Sequence, residues 1–128
     1  MKFLSRKKEK FLEKLLFHLP DLEKAVEDSR SRKEKEAERS EDPTARFAIL
    51  GLSVENMEIW AQILREARNE IRMKDSLMYA VMVHRYDFKE KPDETCARQF
   101  ISLSTYWRWR RDLLLVIWLK AQEKNLKF

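Results

Sequence analysis

Apolar residues recur at helical spacing along most of this 128-residue chain, and where they stop the sequence changes character. From about Phe3 to Leu19, the residues Phe3, Leu4, Phe11, Leu12, Leu15, Leu16 and Leu19 share one side of a helix, which Pro20 interrupts. The polar side is rich in cations, with Arg6, Lys7, Lys8, Lys10 and Lys14. A basic amphipathic helix of this kind packs on its own domain or a second copy, or else lies on a membrane surface or another partner. From Asp21 to Glu41 acids and bases alternate with almost nothing apolar after Val26, the pattern of a solvated helix or a flexible connector. Asp42 and Pro43 mark a boundary, so residues 1–43 read as an appendage and 44–128 as the compact domain.

In that second part Ser53 is placed to cap a long helix whose stripe of Met57, Trp60, Ile63, Leu64, Ala67 and Ile71 keeps a 3.6-residue period to about Met73. Asp75 or Ser76 caps the next helix, with Leu77, Met78, Ala80, Val81, Val83 and His84 leading to Tyr86. The loop DFKEKP breaks the pattern, and Asp93 is the expected cap of the helix that follows. Only one glycine and three prolines occur, too few for a sheet with many hairpins, so an all-α fold of long helices and short loops follows.

The stretch Thr95 to Leu119, TCARQFISLSTYWRWRRDLLLVIWL, has the spacing of a helix-turn-helix within about residues 93–119. Two helices that cross through a short turn need small or apolar side chains where they touch. Cys96 is the small contact on the first helix, Ile101 sits in the turn, and Ser102 caps the second helix. Tyr106, Trp109, Leu113, Val116 and Ile117 form the inward face of that helix. Phe100 departs from the pattern, because such turns favour glycine for its freedom at positive φ; a longer or differently shaped turn is therefore expected.

The other face carries side chains that hydrogen-bond or stack: Ser104, Thr105, Arg108 and Arg111, with Trp107 at its edge. In a DNA-reading helix the N-terminal turns meet base edges, and arginine bidentate to guanine is the commonest specific contact. Arg108 is the first candidate for that contact, Ser104 and Thr105 lie a turn earlier, Arg110 and Arg111 point further around toward a backbone, and Arg98 and Ser102 complete the candidate DNA-binding set. A plain solvated helix face is the alternative for the arginines.

Charge supports a polyanion partner more by its distribution than by its total. Lysines and arginines exceed acids by 27 to 22, and from Phe47 to Pro92 the two signs cancel at seven each. From Asp93 onward there is a local excess of three cations. The single cysteine precludes an internal disulfide framework and suits an intracellular setting; at a small-residue packing position with no nearby histidine, Cys96 reads as a buried structural thiol. His18 and His84 stand alone, Glu66 and Glu70 are flanked by Arg65 and Arg68, and no glycine-rich loop is present, so neither catalysis, metal nor cofactor has a foothold. The apolar run Leu113 to Leu119 is far shorter than the roughly 20 residues of a spanning helix, and the charged N-terminus is unlike a secretory signal.

The C-terminal half from about Met57 resembles the small phage regulators of late gene expression, the RinA and ArpU families, and looks like sigma-factor region 4. The likeness rests on LMYAVMVHRY at Leu77 to Tyr86 and on FISLSTYWRWRR at Phe100 to Arg111. It implies a sigma-region-4-like helical unit in the cytoplasm of a bacterial host, binding promoter double-stranded DNA and activating late genes. Ser102, Ser104, Thr105, Arg108 and Arg111 would be its reading residues. It also implies that a region outside the DNA reader touches RNA polymerase or mediates oligomerisation, and a homodimer would lengthen a short recognition site. Trp107, Trp118 and the LLLVIWL stretch are the dimer candidates, with burial in the domain's own core as the alternative. The competing function is a helical adaptor or assembly module, or a small terminase-like DNA binder used in packaging.

Overall fold

The structure, a computed structural model, describes residues 4–35 and 53–126. Among them the fold is all-helical, with six helices in order: α1 (Arg6–Phe17), α2 (Leu19–Lys35), α3 (Val54–Lys74), α4 (Ser76–Tyr86), α5 (Pro92–Gln99) and α6 (Leu103–Glu123). The expected boundary at Asp42 to Thr44 lies outside the described residues.

Local chemistry sets most helix ends. Ser5, Ser53 and Ser102 each hold an extended backbone and accept from the amide three residues on, at 3.2, 3.2 and 3.1 Å. Asp75, with φ −150° and ψ 97°, ends α3 and caps α4 by accepting from the Met78 amide at 3.0 Å. Pro20 does separate α1 from α2, but it sits inside the first turn of α2, where its missing N–H needs no partner. The expected cap at Asp93 is corrected: Lys91 is the N-cap without a side-chain bond, Pro92 opens α5, and Asp93 lies in its first turn beside Glu94. There its charge still favours the positive end of the helix dipole.

One core joins all these elements. Leu12, Leu15 and Leu16 of α1 and Leu22, Ala25 and Val26 of α2 are buried in the same cluster as Trp60, Ile63 and Leu64 of α3 and Leu113, Leu114 and Ile117 of α6. The basic amphipathic helix thus packs on its own chain, and its cations Arg6, Lys7, Lys10 and Lys14 stay exposed. The alternating stretch after Asp21 is helical as far as Lys35, anchored by its few apolar residues. At the far end Asn125 turns left-handed (φ 58°), the Leu126 amide donates to Ala121 oxygen at 3.0 Å, and the Leu126 side chain closes onto the core.

The connection from α5 to α6 is a three-residue turn, Phe100–Ile101–Ser102. It is not lengthened to spare Phe100, which itself takes the left-handed conformation at φ 56° and ψ 44° that a glycine would take freely. Its amide donates to Cys96 oxygen, as does that of Ile101 at 3.1 Å, while its ring is 95% exposed. A ring that packs on nothing loses nothing when removed, whereas the strain at Cβ is relieved. Phe100→Gly should therefore raise stability by about 0.5–1 kcal/mol, the left-handed strain less the larger backbone entropy of glycine, as read from urea midpoints. A loss of stability would show that the ring does pack.

Candidate functional site

The phase of α6 is set by Tyr106, Leu113, Leu114, Ile117 and Ala121, all buried. Opposite them Ser104, Arg108 and Arg111 are exposed, and neither arginine has a hydrogen-bond or ion-pair partner among the described residues. Thr105 is half-buried and belongs to the helix start, where Ser102 Oγ donates to Thr105 Oγ1 at 3.0 Å and lies 3.2 Å from Ser104 Oγ. Ser102, proposed both as cap and as reader, is committed to the cap.

Two of the remaining candidates, Arg110 and Arg98, are held by acids. Arg110 turns the other way, its two terminal nitrogens 3.3 Å from Glu9 and 2.9 Å from Glu13 of α1. It is mostly buried, and its Nε has no partner among the described residues. Arg110 is therefore a strut between α6 and α1, not an exposed phosphate contact. Arg98 on α5 pairs with Glu90 at 2.7 Å, and the same carboxylate accepts from Thr95 Oγ1 at 2.7 Å. Trp107 is 41% exposed at the edge of the outward face, with the guanidinium carbons of Arg85 and Arg110 at 5.2 and 5.9 Å from its ring centroid.

Sequence reasoning missed the group that organises this region. Glu13 Oε2 accepts from Arg85 Nε at 3.0 Å, from an Arg85 terminal nitrogen at 2.8 Å, and from the Tyr86 hydroxyl at 2.6 Å. Arg85 donates onward to the Tyr106 hydroxyl at 3.0 Å, and its guanidinium lies over the rings of Phe17, Tyr86 and Tyr106. Burial alone would raise the Glu13 pKa, but hydrogen bonds from Arg110 and Tyr86 and the charge of Arg85 outweigh it and hold the carboxyl below its usual range. Burial and the adjoining Glu13 carboxylate push the Tyr86 hydroxyl well up, so it stays a donor. A signal was available: Glu9 and Glu13 are the only acids on the Lys-rich side of α1, one turn apart.

The two histidines and the cysteine have structural surroundings. His84 Nδ1 is 3.5 Å from Glu90, and His18 Nδ1 is 3.5 Å from Asp21. No group of three metal-ligating side chains occurs among the described residues. Cys96 is buried with its thiol donating to Ser102 oxygen at 3.8 Å; burial first, and the charge of Asp93 second, push that thiol up. Leu113, Leu114 and Ile117 of the apolar run belong to the core, and Trp118 packs against it with the Lys8 ammonium 5.6 Å from its ring centroid. Leu119 on that run is exposed. No helix among the described residues is long and apolar enough to cross a membrane.

Because the folded pKa of Glu13 lies below its unfolded value, the network adds stability above the unfolded pKa of about 4.3 that is lost as pH falls through the folded one. Glu13→Ala should cost about 2–4 kcal/mol at neutral pH by leaving Arg85 and Arg110 without their acceptor, and should flatten the acid limb of a urea-midpoint profile. An unchanged acid limb would remove Glu13 from this role. No protein-family model matches the chain, and neither the curated proteins nor the solved structures contain a significant match to it.

Proposed function

We propose that the protein is a sequence-specific double-stranded DNA-binding transcription regulator that reads DNA with the outward face of α6. The observation that supports this most is the sorting of the arginines on that helix. Arg110 is consumed by Glu9 and Glu13, while Arg108 and Arg111 are left exposed within the first nine residues that follow a capped N-terminus. An arginine without an internal partner keeps all five donors for an external acceptor, and its fork suits guanine or phosphate. Arg108 is assigned to a base edge, Ser104 and Thr105 to a neighbouring base or phosphate, and Arg111 to the backbone. The resemblance to phage late-gene regulators supplies the expected setting: activation at a promoter, together with RNA polymerase or a second copy of the chain.

A second reading, a helical interaction module, is favoured by one observation. Leu103 and Trp107, four apart on α6, are 44% and 41% exposed, and Phe100 in the turn before them is 95% exposed. A protein partner would cover such a stripe.

In vitro selection from random duplex DNA, at two salt concentrations, separates the readings. The parent protein should enrich one motif, and its affinity should fall steeply with salt. Arg108→Ala/Arg111→Ala should lose the enrichment while keeping the fold, with each lost contact costing about 1–3 kcal/mol of discrimination. Absence of salt-sensitive binding by the folded parent would sink the regulator and leave the interaction module.

A further inference from the structure

A cleft of about 240 Å³ lies where the start of α2 and α4 meet α3, lined by Leu19, Arg65, Arg68, Asn69, Arg72 and Tyr79. Its lining holds three guanidinium groups and no carboxylate. The adjacent cleft of about 220 Å³ between α2 and α3 shares Arg65 but is lined by Glu23, Glu27 and Glu58. Charge is thus segregated along one side of α3.

The acids that serve the first cleft stand outside its lining. Asp87 holds Arg68 by two parallel hydrogen bonds at 3.0 and 2.7 Å, and Arg68 also lies 5.9 Å from the Tyr79 ring centroid. That guanidinium is largely buried, so its position is fixed before any ligand arrives. Glu23 holds one terminal nitrogen of Arg65 at 2.8 Å. A guanidinium has five N–H donors, so both arginines retain donors after these bonds. Arg72 is exposed and has no partner among the described residues. Three cations against two bracing carboxylates leave one positive charge, and Asn69 adds a neutral amide donor.

We propose that this cleft binds a phosphate monoester, with Arg68 as its fixed cation, Arg72 closing on the dianion, and Arg65 and Asn69 completing the donor set. Arginine forks match phosphate oxygens in pairs, which a lysine-lined cleft would not do. Leu19 and the Tyr79 ring leave an apolar wall for the esterified group. None of the lining residues belongs to α6, so the assignment stands apart from the DNA-reading proposal.

The test is a titration of the full chain with inorganic phosphate and phenyl phosphate at constant ionic strength, followed by the arginine Nε–H and Asn69 amide resonances. Saturable shifts at Arg65, Arg68 and Arg72 are expected, tighter for phenyl phosphate. Arg72→Ala should weaken binding about tenfold, as loss of one charge-assisted hydrogen bond implies, and Arg72→Lys should restore only part of it. Lys10→Ala on α1 removes the same charge and should change nothing. Non-saturating shifts, or an equal loss in Lys10→Ala, would reduce the effect to general attraction by a basic protein and overturn the proposal. So would dimethyl phosphate, a diester monoanion, binding as tightly as phenyl phosphate.

Discussion

Glu13 is where three distant stretches of the chain are obliged to meet. Its carboxylate collects Arg85 and Tyr86 from the end of α4 and Arg110 from the middle of α6, inside a wall of aromatic rings. Charges in such a place are costly unless nearly every donor and lone pair is used, which makes the arrangement intolerant of alternatives. Sliding α1 along α6 by one turn would leave a single acid, Glu9 or Glu13, at a junction that uses both. Apolar packing of Leu12, Leu15 and Leu16 supplies attraction between the helices, but attraction of that kind is indifferent to register. The ion network is what selects one placement of α1.

That selection reaches the surface of α6. Arg108, Arg110 and Arg111 are nearly contiguous, and a helical step of 100° puts Arg110 a long way round from Arg108. With Arg110 held by α1 and Tyr106 held in the core, the helix cannot rotate, and Arg108 and Arg111 must face outward. The same strut frees α6 from relying on its short partner α5, whose eight residues bury only Thr95 and Cys96.

What was legible in the sequence was what neighbours along the chain decide. Ser53, Asp75 and Ser102 work as caps because a cap needs only an acceptor at the right place and three amides ahead of it. The stripes of α3 and α6 are equally local, since a single helix displays them. Asp93 does not cap α5 because Pro92 sits well at the first helical position, which puts the N-cap at Lys91 and the helix start two residues earlier. Membership of α1 in the common core was one of four readings, beside a second copy, a membrane surface and another partner, as its stripe does not say which surface covers it. The role of Glu13 was hidden for a harder reason: its partners lie more than 70 residues away, and the same glutamate on a lysine-rich helix would ordinarily pair with the next turn. For the same reason Arg110 could not be told from its neighbours until α1 had a place.

Phe100 carries the argument about the outward surface one step further. Left-handed backbone costs a residue with a Cβ about 1–2 kcal/mol, and a ring left in water gains nothing from folding. Neither cost is offset by a contact inside the described fold, since the ring is 95% exposed and the turn's hydrogen bonds are made by backbone. Glycine would make the same turn with less strain, so stability alone does not account for the side chain. Leu103 and Trp107, four apart at the start of α6, are exposed as well, next to the stripe of Ser104, Arg108 and Arg111. One helix thus carries an apolar ridge and a cationic ridge side by side, fixed in phase by the buried strut at Arg110.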